Sequence, residues 1–260
     1  MVNWRWIDLA GAVNVRDVGG LPARDGATTR FGRLLRADNL QDLTPDDVAH
    51  LVDTIGVRDV VDLRTIIEVE AEGPGPLTKR SEVQIHHHSL FPEAGTRTDV
   101  EAADAVLPWA RPEEAANASD STGLYYTRYL ARRPDSVLAA LRTMATSDGA
   151  TIAHCAAGKD RTGVIVAMAL SVADVDRDAI IADYVATGER IAEIVARLRG
   201  TDTYASDLDG SSLDAHRPRP QAMRTFLRYL DIHCDGPLGW LTSHGWTDAD
   251  SEALRARLLA

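Results

Sequence analysis

Apolar residues in this chain follow two spacings. Short, nearly unbroken runs alternate with longer stretches in which an apolar residue returns every third or fourth position. The first spacing fits a buried strand and the second the inner face of a helix. Runs near 33–37, 57–63, 83–90 and 150–154 read as strands. Helical spacing begins after Thr44, a capping hydroxyl followed by Pro45 in the first turn and Asp47 three residues past the cap. Val48, Leu51, Val52 and Ile55 then face inward, and Gly56 ends the segment. Leu124, Tyr125, Tyr129 and Leu130 suggest a short helix, and Val137, Leu138, Leu141 and Met144 a second over 134–145. Stretches 162–173 and 176–185 are helical and largely apolar, while 189–199 carries Ile191, Ile194, Val195 and Leu198 on one face. Met223, Phe226, Leu227 and Leu230 mark a helix over 220–234, and 237–244 and 247–259 form a helical tail.

Strands that alternate with helices predict an α/β fold: a single domain over 1–260 with a mostly parallel central sheet flanked by helices. The punctuation agrees. Asp17 followed by Gly19 and Gly20 marks a sharp turn, and the Gly73-Pro-Gly-Pro76 string is a break. The stretch 94–120 is rich in Ala, Glu, Asp and Pro and reads as a surface loop, as does the polar stretch 200–217. No repeat or internal boundary shows.

Charge and composition narrow the partners. A net charge of −11 argues against nucleic acid as the main partner, so affinity for a phosphate must come from a local basic site. No apolar run is long enough for membrane insertion, and no signal core follows the residues Met1 to Trp6. The two cysteines, Cys155 and Cys234, suit a reducing compartment better than a disulfide framework, so the expected location is cytoplasmic. Cys234 reads as a small apolar residue on its helix. Trp4 and Trp6 read as a packing clamp. The triple histidine His86-His87-His88 invites a metal, but a strand would turn His86 and His88 one way and His87 the other, with no further ligand at suitable spacing.

The chemistry gathers at Thr151-Ile-Ala-His-Cys-Ala-Ala-Gly-Lys-Asp-Arg-Thr-Gly163. Here a strand leads into a tight loop and the loop into a helix. Backbone N–H groups at such a helix start, with its dipole, form a cradle for a tetrahedral dianion. Thiols beside helix N-termini and cations ionise more readily, and the thiolate is a nucleophile. The planar fork of Arg161 matches two phosphate oxygens, which a lysine would not. A nucleotide P-loop fails, because Ala153 stands where its first glycine belongs and Asp160 replaces its metal-binding hydroxyl. A rhodanese-like sulfurtransferase or a non-catalytic phosphate-binding module remains as an alternative.

The string His154-Cys155-Ala156-Ala157-Gly158-Lys159-Asp160-Arg161-Thr162-Gly163 resembles the signature of the cysteine-dependent protein tyrosine phosphatases. The likeness is greatest to a bacterial branch whose loop carries a lysine and an aspartate just before the arginine. The Asn14-Val-Arg-Asp-Val-Gly-Gly20 string and Asp62-Leu63-Arg64 extend it. The resemblance implies hydrolysis of phosphate monoesters through a phosphocysteine intermediate, without metal or other cofactor. The substrate would be a phosphorylated protein, on tyrosine and in some cases serine or threonine, or a phosphoinositide. Cys155 would attack phosphorus while Arg161 and the loop amides from Ala156, Ala157, Gly158 and Lys159 onward hold the equatorial oxygens. Thr162 would hydrogen-bond the sulfur, His154 would orient the loop, and Lys159 would add charge.

Two carboxylates compete as general acid. Asp160 lies inside the motif, as proposed for this branch. Glu93 follows Phe91-Pro92, where the wider superfamily has Trp-Pro-Asp; both the aromatic and the acid differ here. Asp160 is the favoured choice. Arg64, at a strand end, lies near the phosphate or braces the loop, or else forms a structural ion pair with Glu68. Arg16 or Asp17 would buttress from the early turn. In the resembling branch a helix pair at about 183–215 folds over the site as a lid, and the face of 189–199 fits that role and an ordinary core helix equally.

Overall fold

The computed structural model describes residues 5–92, 118–208 and 210–260. Among them the sheet has six strands in the order β1-β2-β3-β6-β4-β5. These are β1 Arg5–Trp6, β2 Arg16–Asp17, β3 Leu34–Ala37, β4 Val57–Asp62, β5 Gln84–His87 and β6 Ala150–His154. β3, β6, β4 and β5 are parallel, and β1 and β2 add an antiparallel edge. The four predicted strands are the parallel ones. β1 and β2 are too short to carry a period, so only the pairing of β2 with β3 and of β1 with β2 reveals them.

The helices are α1 Pro45–Ala49, α2 Ile66–Glu72, α3 Ala118–Arg132, α4 Pro134–Thr146, α5 Asp160–Val172 and α6 Arg177–Ala186. They continue as α7 Ile191–Arg199, α8 Ala205–Leu208, α9 Pro220–Cys234, α10 Gly236–Ser243 and α11 Asp248–Leu258. α1 starts as its caps predict: Asp47 N–H donates to Thr44 Oγ1 at 3.2 Å while Thr44 N–H donates to Asp47 Oδ2 at 2.9 Å. The helix then widens to a π-helix over His50–Ile55, and Gly56 stops it at φ 83°.

β6 sits at the centre of the parallel strands, with all its residues buried. Its alternation splits the core. Ala153 joins Val61 and the large cluster under α4, α5 and α9, whereas Ile152 joins Leu35, Val60, Leu51 and Val52 on the other face. The parallel register brings the carboxyl ends of β3, β6 and β4 to one edge, where ligands bind in such sheets. A third cluster is small and local: Ala156 and Ala157 of the loop lie with Ile191, Ile194, Val195 and Leu198 of α7 and with Tyr204 and Leu208.

Some expectations change. α3 begins at Ala118, inside the stretch predicted as loop, and turns Tyr126, Tyr129 and Leu130 inward while Leu124 is 47% exposed. The polar 200–217 stretch folds into α8 and a short turn at Leu213–His216. Trp6 is indeed clamped, its ring near the guanidiniums of Arg190 at 4.9 Å and Arg16 at 5.1 Å. His86 meets Asp59 at 2.7 Å, His87 the Arg64 carbonyl at 2.7 Å and His88 the Thr143 hydroxyl at 3.3 Å. Among the described residues no three metal-ligating side chains come together. Trp4, Glu93 and most of 94–120 lie outside the described residues.

Candidate active site

The loop between β6 and α5 is shaped from outside by its carbonyls. Asn39 N–H donates to Ala156 O at 2.9 Å. Asn14 Nδ2 donates to Ala157 O at 2.9 Å, and Arg36 Nη2 donates to Gly158 O at 2.7 Å. A trans peptide points its N–H opposite to its C=O. Three carbonyls held outward therefore turn the N–H groups of Ala157, Gly158 and Lys159 into the loop, as an anion nest requires. Gly158 makes the turn possible. It has φ 65°, and a Cβ there would stand 2.3 Å from Ala37 O.

Arg161 follows in the first turn of α5. Its guanidinium is clamped by Glu68, with Nη1 to Oε2 at 2.6 Å and Nη2 to Oε1 at 2.8 Å, and lies 5.6 Å from the centre of the Phe91 ring. Burial alone would raise the Glu68 carboxyl, but Arg161 and Thr65 hold it below the usual range. Burial would likewise lower Arg161, and Glu68 outweighs it, keeping the guanidinium charged. Glu68 is fixed in turn by the capping box of α2, in which Thr65 N–H donates to Oε2 at 2.8 Å. The motif Thr65-Ile-Ile-Glu68 is readable as a cap, and that is the signal by which Glu68 could have been found.

Arg64 therefore does not pair with Glu68, which faces Arg161 instead. Arg64 holds Asp62 at 2.6 Å and Asn39 Oδ1 at 3.1 Å, and Asn39 is the residue whose N–H anchors Ala156. Of its two expected roles, bracing the loop is the one with contacts. Arg16 braces at one remove: it donates to Asn14 Oδ1 at 2.7 Å and pairs with Asp183 at 3.0 Å. Asp183 also holds Arg36. Asp17 serves the turn, accepting from Gly19 N–H at 2.8 Å and Gly32 N–H at 2.7 Å.

His154 lies against the Cys155 carbonyl, Nδ1 to O at 3.4 Å, with Asp62 3.6 Å from its Nε2. Burial pushes it down to about 4 despite Asp62, so it is neutral near pH 7 and acts as a dipole. Burial would raise Asp62, but His154 and Arg64 hold it well below the carboxylate range; with His154 neutral, Arg64 carries that effect. The Thr162 hydroxyl is buried without a hydrogen-bond partner among the described residues, so the expected bond to sulfur is not made in this structure. Lys159 Nζ donates to His216 O at 2.9 Å and lies 3.6 Å from Asp160 Oδ2. Asp160 Oδ1 accepts from the Tyr126 hydroxyl at 2.5 Å.

The site is covered. Cys155 is 2% exposed, and Ala156, Ala157, Lys159, Asp160 and Arg161 are all buried. The cover is the apolar face of α7 on the loop alanines. Arg197 of the same helix holds Asp38 at the end of β3 and reaches Asp42 at 3.0 Å. Tyr204 OH donates to Glu68 Oε1 at 3.0 Å, so the covering segment touches the carboxylate that clamps Arg161. Asn14, Arg36, Asn39, Glu68, Tyr126 and Tyr204 were not foreseen as site residues. They are ordinary polar residues scattered over the chain, and only the fold converges them.

A thiol at the mouth of an inward-facing amide loop, with a clamped arginine beside it, suits phosphoryl transfer to sulfur. The chain is 31% identical over 209 residues to the triple specificity protein phosphatase PtpB of Mycobacterium tuberculosis, covering 74% of this chain and 72% of that protein. It is 28% identical over 241 residues to a tyrosine-protein phosphatase of Nostoc commune, covering 89% of this chain and 72% of that protein. A family model described as the tyrosine phosphatase family matches residues 7–260. The loop built on Cys155 and Arg161 thus stands within a match that runs from the residue after β1 to the last helix: the chain belongs to the tyrosine phosphatase family and is a phosphoric monoester hydrolase.

Proposed function

We propose that this phosphatase works through a phosphocysteine on Cys155. The thiolate attacks phosphorus while Arg161 and the inward amides of the loop hold the equatorial oxygens, and Asp160 protonates the leaving oxygen. Water then hydrolyses the phosphocysteine with the same carboxylate as base. Thr162 meets the sulfur once the loop is occupied, and Lys159 adds charge at the rim. The observation that carries this reading is the bracing of the Ala156, Ala157 and Gly158 carbonyls by Asn39, Asn14 and Arg36, which frees the next three amides to face into the loop that follows Cys155.

The substrates are phosphotyrosine and, in this reading, phosphoserine, phosphothreonine and phosphoinositides. The breadth is supported by the name of the mycobacterial relative, a triple specificity phosphatase. The segment from 183 to 215 is the lid, because its α7 face covers the loop and its Tyr204 touches Glu68. A catalytic thiol works best where thiols stay reduced, which favours a cytoplasmic enzyme; both cysteines are free, and no described helix is long and apolar enough to cross a membrane. Vanadate, a mimic of pentacoordinate phosphorus, should inhibit competitively, and a metal chelator should leave the rate unchanged. Inactivation by the chelator would overturn the thiol mechanism, and a turnover panel of phosphotyrosine, phosphoserine and phosphoinositide ranks the substrates.

A further inference from the structure

Asp160 opens α5 with its carboxylate buried, and its two oxygens have different surroundings. Oδ1 accepts from Tyr126 OH at 2.5 Å, and Tyr126 OH lies 2.8 Å from Tyr184 OH. Oδ2 makes no hydrogen bond among the described residues and faces Lys159 Nζ at 3.6 Å, an ammonium held by His216 O. Burial first, and the Asp160 charge second, raise both phenols above their ordinary range, so each keeps its proton. Tyr126 spends its single proton on Asp160, which leaves Tyr184 as the donor to the Tyr126 oxygen. The chain of donors therefore runs Tyr184 to Tyr126 to Oδ1.

The rings have little room to swing. Tyr126 stacks with Tyr129 at 6.0 Å and meets Tyr184 and Phe226 edge-on, each at 6.2 Å. Gly163 gives Tyr184 its place, since a Cβ there would stand 3.0 Å from the Tyr184 ring. The glycine that ends the loop motif thus admits the second tyrosine. α3 and α6, far apart in the chain, thus meet at the Tyr126 hydroxyl, which alone of the two touches the carboxylate.

Resting on the assignment of Asp160 as general acid, we propose that Tyr126 and Tyr184 are positioning residues that aim this acid. They fix Oδ1 as a permanent acceptor and leave Oδ2 to carry the proton. As the S–P bond forms and the ester P–O bond breaks, the Oδ2 proton passes to the leaving oxygen. The resulting carboxylate already has its donor on Oδ1. In the second step water attacks phosphorus, its proton returns to Oδ2, and the S–P bond breaks to give back the thiolate.

The test uses Tyr126→Phe and Tyr184→Phe, which keep the rings and remove only the hydroxyls. Each is assayed with phenyl phosphate, whose leaving group needs a proton, and with dinitrophenyl phosphate, whose leaving group does not. Tyr126→Phe should lower kcat/KM, which reports ester cleavage and not the later hydrolysis of the phosphocysteine, by about tenfold on phenyl phosphate and by less than about twofold on the dinitrophenyl ester. Tyr184→Phe should show the same split, smaller, because it acts through Tyr126; it also serves if Tyr126→Phe does not fold. An equal loss on both substrates, or no loss on either, overturns the proposal. Asp160→Asn is run beside them. If it shows no leaving-group split, the acid assignment fails; if it shows one and neither tyrosine variant does, only the positioning role fails.

Discussion

The clamp on Arg161 can be tested by replacing Glu68 with glutamine, which keeps the shape and removes the charge. Five hydrogen bonds converge on the two carboxylate oxygens. Oε2 accepts from Thr65 N–H at 2.8 Å, Thr65 Oγ1 at 3.0 Å and Arg161 Nη1 at 2.6 Å. Oε1 accepts from Arg161 Nη2 at 2.8 Å and Tyr204 OH at 3.0 Å. An amide NH2 must replace one oxygen, and on either side it meets an Arg161 N–H. The guanidinium is then a buried charge without its counter-ion, which typically costs about 3–5 kcal/mol. Against a domain stability of roughly 5–15 kcal/mol, that is a large part of the whole. Chemical denaturation should show the midpoint shift, and kcat should fall by about tenfold to a hundredfold as the fork loses its aim. The pH dependence has a definite sign. Glu68 is held below its unfolded value, so its contribution is full above the ordinary carboxylate range and is lost as pH falls through the folded value. That part of the acid destabilisation should vanish in Glu68→Gln. A variant with wild-type midpoint, wild-type kcat and an unchanged acid limb would refute the view that Glu68 orients Arg161.

Cys155→Ser should abolish turnover yet keep measurable ligand binding by calorimetry, because the cradle is mainly backbone; appreciable hydrolysis by the purified variant would end the nucleophile assignment. Arg161→Lys should be severely impaired in kcat, since a point charge replaces a fork. Asp160→Asn should remove the alkaline limb of the pH–rate profile, and Glu93→Gln should keep it; the reverse result makes Glu93 the acid. Aspartates in place of Ile194 and Val195 should lift α7 from Ala156 and Ala157 and speed peroxide inactivation of Cys155. Loss of the global unfolding transition in that double variant would show the face to be core rather than cover.

The parallel sheet was legible because β3, β4 and β6 carry buried runs bounded by clear stops, while β5, an exposed edge strand, shows itself by its β-prone stretch alone. β6 is such a run, with every residue inside, and Gly56 at φ 83° closes the helix before β4 as its type predicts. What stayed hidden had no period. β1 and β2 have two residues each, and α3 turns Tyr126 inward where the spacing of Leu124 and Tyr125 suggested another face.

The site divides along the same line, and for a physical reason. Cys155, Gly158 and Arg161 act through local geometry, which a contiguous motif can encode. Holding the loop is a different task. Its carbonyls point away from the loop's interior, so their donors must come from whatever lies behind, and the sheet order places β2, β3 and the segment after β3 there. Asn14, Arg36 and Asn39 supply those donors from three points in the chain. The same separation explains the arginines. Four of them, Arg16, Arg36, Arg64 and Arg161, are buried to the full length of the side chain. Each has a carboxylate: Asp183 serves Arg16 and Arg36, Asp62 serves Arg64, and Glu68 serves Arg161. A chain with net charge −11 therefore keeps these positive charges inside, where water does not screen them, and under the proposed mechanism a phosphate dianion would meet Arg161 there at short range. Surface charge would have offered attraction at a distance; this arrangement trades that for a fixed charge at the loop, under the apolar face of α7.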